Sequence, residues 1–157
     1  MRIRAMLPED FPAVSAMMDD LHALHVAGRP DLYVPMSPIY PENVYLEKLN
    51  SPDMLCLIAE EEGAPAGLCF VEMRKRTGMR NIPSAYVDDM YVAPAFRRQG
   101  VATALFREAE KLAKAKGAVR LDLMVWNFNR EALAFYESLG MKPQRYILEP
   151  PLKEDNA

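Results

Sequence analysis

The sequence predicts one α/β domain, a mixed sheet with helices packed on it in the order β-α-α-β-β-β-α-β-α-β, spanning residues 1–149 before a polar tail at 150–157. Three observations carry that expectation. Short segments alternate polar and apolar residues, as strands with one buried face do. Three longer segments repeat apolar residues at helical spacing and stop at glycine. At 157 residues, half of them apolar, the chain is long enough to bury one core without metals or disulfides.

Arg2 to Met6 reads as the first strand. Pro8-Glu9-Asp10 opens a helix, since proline and acidic residues suit a first turn with unpaired amides and a positive dipole end. Phe11, Val14, Met17, Met18, Leu21 and Leu24 keep helical spacing to about His25, with Gly28 as the stop. From Gly28 to Pro41 four prolines, Pro30, Pro35, Pro38 and Pro41, beside Tyr33 and Tyr40, forbid regular helix and make a stiff aromatic loop of a length that is often functional. Pro41 to Asn50 is a short helix. Met54 to Glu60 and Pro65 to Arg74 form a hairpin about Glu62-Gly63, Thr77 to Pro83 turns, and Ala85 to Val92 is the next strand.

Gly100 to Lys116 follows as an amphipathic helix with Val101, Leu105, Phe106, Ala109, Leu112 and Ala113 on one side and Gly117 at its end. Val119 to Val125 is a strand. Asn129 caps a helix to Leu139, closed by Gly140, and Met141 to Leu148 returns as the last strand. A tight turn at Glu62-Gly63 would set Cys56 opposite Cys69 across the hairpin, where reduced, structural thiols are expected.

The net charge of −3 argues against a nucleic-acid partner and suits a cationic one. No apolar run approaches the roughly 20 residues of a membrane span, and the N-terminus lacks a signal-like apolar stretch, so a cytoplasmic protein is expected. No Cys or His spacing suggests a metal site.

The chemistry concentrates in residues 87–103. A strand ends at Met90-Tyr91-Val92, a proline turn follows, Arg97-Arg98-Gln99 add charge, and Gly100-Val101-Ala102-Thr103 begin a helix. A helix N-terminus presents unpaired amides and about half a positive charge, ready to hold phosphate. Arg97-x-x-Gly100-x-Ala102 resembles the pyrophosphate motif Q/R-x-x-G-x-G/A of GNAT N-acetyltransferases. Asn129, Ala132, Tyr136 and Gly140 resemble that superfamily's second signature, N-x-x-A-x-x-x-Y-x-x-x-G-F, with Met141 in place of Phe. The resemblance covers residues 85–142 closely and the first 84 in element order alone.

The resemblance implies a mostly antiparallel sheet and an enzyme moving the acetyl group of acetyl-coenzyme A onto an amine, either a small molecule or a peptide N-terminus, with a homodimer compatible with it. It implies that the amides of Met90, Tyr91 and Val92 bind pantetheine by strand pairing, and that residues Arg97 to Thr103 hold the pyrophosphate. Asn129 would reach the pantetheine or cap its helix, and Tyr136 would protonate the departing thiolate. Asp88 either takes the amine's proton or only attracts a cation. Asp88 and Asp89 are adjacent on a strand, so their side chains are expected on opposite faces, with Asp89 tying down the following loop. Glu72 is the reserve base. His25, Arg29 and Tyr33, beside His22 and Asp31, would border the acceptor. The alternative is an acyl-coenzyme A-binding regulatory module without turnover. No G-x-x-x-x-G-K-[ST] or G-x-G-x-x-G pattern supports another nucleotide-binding class.

Overall fold

A computed structural model of the chain describes residues 1–75 and 82–150. Most of the turn expected at Thr77–Pro83, and the tail beyond Pro150, lie outside the described residues. The chain forms two compact units, residues 1–124 and 125–157.

The first unit is a five-stranded sheet in sequential order: β1 (Arg2–Ala5), β2 (Met54–Glu61), β3 (Ala64–Arg74), β4 (Ser84–Val92) and β5 (Arg120–Leu123). The first three pairings are antiparallel and β4–β5 is parallel. The mixed, mostly antiparallel architecture is therefore as expected. Helices α1 (Phe11–Gly28) and α2 (Glu42–Asn50) lie between β1 and β2, and α3 (Val101–Ala115) joins β4 to β5.

Alternation along β3 explains the packing. Cys69 and Val71 join Leu105, Ala109 and Ala113 of α3 in one core, whereas Leu68 and Phe70 join Val14 and Met17 of α1 and Tyr45 of α2 in the other. The sheet thus has α3 on one face and α1 and α2 on the opposite face. Tyr45 is fully buried and its hydroxyl donates to the Leu7 carbonyl at 2.7 Å. Arg4 clamps Asp10 through two hydrogen bonds of 2.6 and 2.8 Å and reaches Glu60 at 2.6 Å, tying β1 to the start of α1 and to β2.

The β2–β3 hairpin turns at Glu62 and Gly63, both at positive φ (51° and 82°), the conformation a two-residue hairpin loop demands. The pairing then slips at Ala59/Glu60, so that Leu57 faces Cys69 and Cys56 faces Phe70. This bulge corrects the expected Cys56–Cys69 pairing. One inserted residue sends the two thiols to opposite faces, Cys69 into the α3 core and Cys56 against the α1–α2 core. Both are free, and burial pushes Cys56 up to about 11 and Cys69 up to about 12.

In the second unit α4 (Arg130–Ser138) is capped by Asn129, whose side chain accepts from the Ala132 amide at 3.2 Å. Gly140, at φ 86°, ends the helical turn. The strand expected over Met141–Leu148 is absent. A strand needs a partner ladder, and those residues carry none; Tyr146, Ile147 and Leu148 are 81%, 79% and 89% exposed.

Candidate active site

The second irregularity of the sheet creates the site. β3 and β4 pair Phe70 with Asp89 but Val71 with Val87, leaving Asp88 as the extra residue of a bulge. Before the bulge Ala85 and Val87 face the α3 core; after it Met90 and Val92 pack there, while Tyr91 faces the opposite core. The two-residue alternation is therefore reset between Val87 and Met90. Asp89 shares the face of its partner Phe70, and Asp88 reaches Lys48 of α2 at 3.8 Å and Arg74 of β3 at 3.1 Å. The expectation that the two carboxylates point to opposite faces is thus corrected: both look toward the α1–α2 side.

Asp88 lines a cleft of about 350 Å³ with Glu47, Lys48, Asp53 and Glu72. Four carboxylates against Lys48 and against Arg74, which pairs with two of them, leave its wall anionic, which favours a cationic occupant. Burial pushes the Asp88 carboxyl up from its ordinary value, with Lys48 pulling the other way. Asp89 is more enclosed; burial drives it up to about 6, again against Lys48. Glu72 pairs with Arg74, whose guanidinium carbon lies 3.6 Å from the centre of the Tyr86 ring. The contribution of α2 escaped sequence reasoning, because Glu47 and Lys48 sit in a short helix with no motif.

On its other edge β4 pairs with β5 only from Ser84 to Val87. Among the described residues no strand pairs with that edge beyond Val87, so Met90, Tyr91 and Val92 end β4 on an open edge. The Tyr91 side chain is committed elsewhere, its hydroxyl donating to Asp20 at 3.0 Å, which leaves its backbone as the part facing that edge. The chain then turns through Pro94–Phe96 and Arg97, whose Nε donates to the Val92 carbonyl at 3.0 Å. Gln99 donates to the Ala95 carbonyl at 2.9 Å. Arg98 and Gly100 both take positive φ (62° and 84°), and a Cβ on Gly100 would meet nothing within 4 Å. Helix geometry leaves the amides of Val101, Ala102 and Thr103 without intrahelical partners, at the positive end of a 15-residue helix. Open edge and helix start are contiguous, a fit for an extended ligand carrying phosphate at one end.

Residues 17–141 match the model of the Acetyltransferase (GNAT) family, a stretch running across both compact units. The chain belongs to the GNAT acetyltransferase family. It is 32% identical over 107 residues, 68% of this chain and 66% of the other, to a Bacillus subtilis (strain 168) protein provisionally named a ribosomal protein bS18-alanine N-acetyltransferase. It is also 32% identical over 103 residues to the thialysine N-epsilon-acetyltransferase of Sus scrofa, covering 59% of this chain and 58% of that one. The chain thus spans about two thirds or less of the length of these relatives. A mutant of the BH1408 protein from Bacillus halodurans shares the fold at a TM-score of 0.93, with 24% identity over 98% of this chain and 100% of that one. The aminoglycoside N-acetyltransferase AAC(6')-Iy, solved in complex with CoA, shares it at 0.75, with 17% identity over 97% and 99%.

The other expected residues of this GNAT chain fall into two groups. His25 stacks on Tyr33 at 5.4 Å, His22 meets the same ring edge-on at 5.9 Å, and Arg29 pairs with Asp31 at 2.7 Å. Burial lowers the His25 pKa. These residues make their own cluster at the end of α1, and none lines the Asp88 cleft. Asn129 and Tyr136 lie in the second unit, Asn129 as a helix cap and Tyr136 edge-on to Phe135 at 5.2 Å. Among the described residues no three His, Cys, Asp or Glu side chains gather to hold a metal, and no helix is long and apolar enough to cross a membrane.

Proposed function

We propose that this protein is an N-acetyltransferase that moves an acetyl group from acetyl-coenzyme A to a cationic primary amine, a small molecule or a peptide N-terminus. The observation supporting it most directly is the open end of β4 running into the α3 N-terminus, with an acid-lined cleft beside the same strand.

Acetyl-coenzyme A supplies the acetyl group as a thioester. Arg97, Arg98 and the amides of Gly100 to Thr103 hold its pyrophosphate, where charge and helix dipole act together. The amides of Met90 to Val92 pair with the pantetheine and meet the charge that develops on the carbonyl oxygen; one such donor is typically worth about 3–4 kcal/mol. The acceptor must attack as a neutral amine. A lysine-like amine of pKa about 10.4 costs roughly 4–5 kcal/mol to deprotonate at pH 7, an α-amino group about 1. Asp88, at the cleft wall, receives that proton, with Glu72 in reserve. Tyr136 returns a proton to the leaving sulfur, and Asn129 serves the pantetheine as well as its helix.

The test is a screen of diverse amines and N-terminal peptides for thiol release from acetyl-coenzyme A. Turnover with any amine class supports the proposal. Cofactor binding without turnover across the panel would turn the reading to an acyl-coenzyme A-binding module.

A further inference from the structure

Beside the bulge, on the α1–α2 face, side chains from four elements converge. Tyr40 comes from the loop before α2, Lys48 from α2, Phe70 from β3, and Asp88 with Asp89 from β4. The Tyr40 and Phe70 rings meet edge to face at 6.4 Å. The Lys48 ammonium stands 5.9 Å from the centre of the first ring and 5.4 Å from the second, within cation–π range of both. It is 3.8 Å from Asp88, held by charge rather than by a hydrogen bond, and it is the strongest charged influence on Asp89.

Two groups in this nest go unanswered. Among the described residues the Tyr40 hydroxyl is buried without a hydrogen-bond partner, a costly condition that native structures keep for a reason. Asp89, the charge acting most strongly on that phenol, makes no hydrogen bond among the described residues. A tethered lysine reaches the nest but satisfies neither group.

We infer that Tyr40, Phe70, Asp88 and Asp89 form an ammonium subsite for an unbranched alkyl primary amine, and that Lys48 stands in it until an acceptor displaces it. The inference rests on the reading of this face as the acceptor side. The two rings hold the cation, and Asp89 supplies the counter-charge. The phenol oxygen accepts one ammonium N–H while its own proton turns to Asp89. Lys48 and Asp88 also line the cleft, so withdrawal of the lysine opens the subsite onto it. The amine then lies beside Asp88, the group assigned to take its proton. Neither Tyr40 nor Lys48 carries a motif, so both come from the geometry alone.

The groups acting on Asp89 are Lys48 from α2, Tyr40 from the preceding loop and Asp88 on its own strand, while Cys69 of β3 feels its charge from the opposite face of the sheet. Removing the lysine cation raises the Asp89 carboxyl further, so binding is measured at pH 8.5, where it is ionised and an alkylamine still protonated. The probe is n-butylammonium, titrated into the full-length protein without acetyl-coenzyme A and followed by calorimetry and by NMR. Lys48→Met should bind about tenfold tighter than wild type, since it deletes a competitor present at high effective concentration. Adding Asp89→Asn should cancel that gain, and adding Tyr40→Phe should reduce it about threefold or more, as loss of a hydrogen bond to a charged group does. Lys48→Gln, measured in the same way, replaces the Met variant if that fails to fold.

A lysine variant that binds no tighter than wild type overturns the inference. So does a gain that survives both added substitutions. Because the measurement uses no acetyl donor, a protein that shows the expected binding but transfers no acetyl group upholds the subsite while refuting the proposed activity.

Discussion

Replacing Gly100 with valine separates backbone strain from ligand exclusion, because the chain carries its own control. Gly100 sits at φ 84° just before α3, and a Cβ built there meets no atom within 4 Å. Gly117, just past the other end of the same helix, sits at φ 89°, and its Cβ also meets nothing. Holding a side-chain-bearing residue in left-handed backbone costs about 1–2 kcal/mol. In a chain of this length about 1 kcal/mol shifts Tm by about 2–4 °C, so both variants should melt about 2–8 °C below wild type. The cofactor distinguishes them. Acetyl-coenzyme A at about 100 times its Kd stabilises the native state by about 2.7 kcal/mol, or about 5–11 °C. If the pyrophosphate approaches the Gly100 backbone closely, Gly100→Val loses that shift while Gly117→Val keeps it. The assay is a thermal melt of the three proteins with and without acetyl-coenzyme A. Equal ligand-induced shifts in the two variants would refute the pyrophosphate assignment.

Tyr136→Phe keeps the ring and should lower kcat about 10²–10⁴-fold with little change in cofactor affinity, measured by steady-state kinetics and calorimetry. Full activity with chemistry limiting the rate would return Tyr136 to a packing role. Asp88→Asn should be most impaired near neutral pH and recover as the amine becomes neutral in bulk solution, in a pH–rate profile at two ionic strengths. A deficit confined to KM and erased by salt would reduce Asp88 to a cation attractor. Asp89→Asn should be more stable than wild type at pH 8 in urea unfolding. Burial lifts the Asp89 carboxyl from 3.8 to about 6, a native-state penalty of up to about 3 kcal/mol at 1.36 kcal/mol per unit. The native state holds this proton more tightly than the unfolded state, so wild-type stability from this group grows as pH falls from above 6 toward 4. The advantage of the variant should therefore vanish by about pH 4, and a variant less stable than wild type at pH 8 would contradict that origin of the shift.

Features set by local chemistry were legible in the sequence. The apolar stripe of α3 lies where its spacing placed it, with Val101, Leu105, Phe106, Ala109 and Ala113 buried. Glu62-Gly63 turns the hairpin, Asn129 caps α4, and Gly100 opens α3 in a conformation glycine tolerates. At Gly63, Asn129 and Gly100 the residue type itself favours the geometry. The last strand failed for the opposite reason, since pairing depends on a partner that the residues of 141–148 do not themselves reveal.

The two errors on the β2–β3–β4 ladder share one cause, and it bears on function. Strand alternation assigns faces by counting, and a bulge adds one to the count. At Ala59/Glu60 that extra residue separates Cys56 from Cys69; at Phe70/Val71 it turns Asp88 and Asp89 to the same side. A regular β4 would place one of the two aspartates against the apolar α3 core, where an unpaired carboxylate is costly. The dipeptide Asp88-Asp89 is therefore compatible with this sheet only through the bulge. Two adjacent charges in an otherwise alternating strand are a signal that the strand breaks its period there. That break gives the cleft one carboxylate at its wall and a second behind it, where a single regular strand position would have supplied only one.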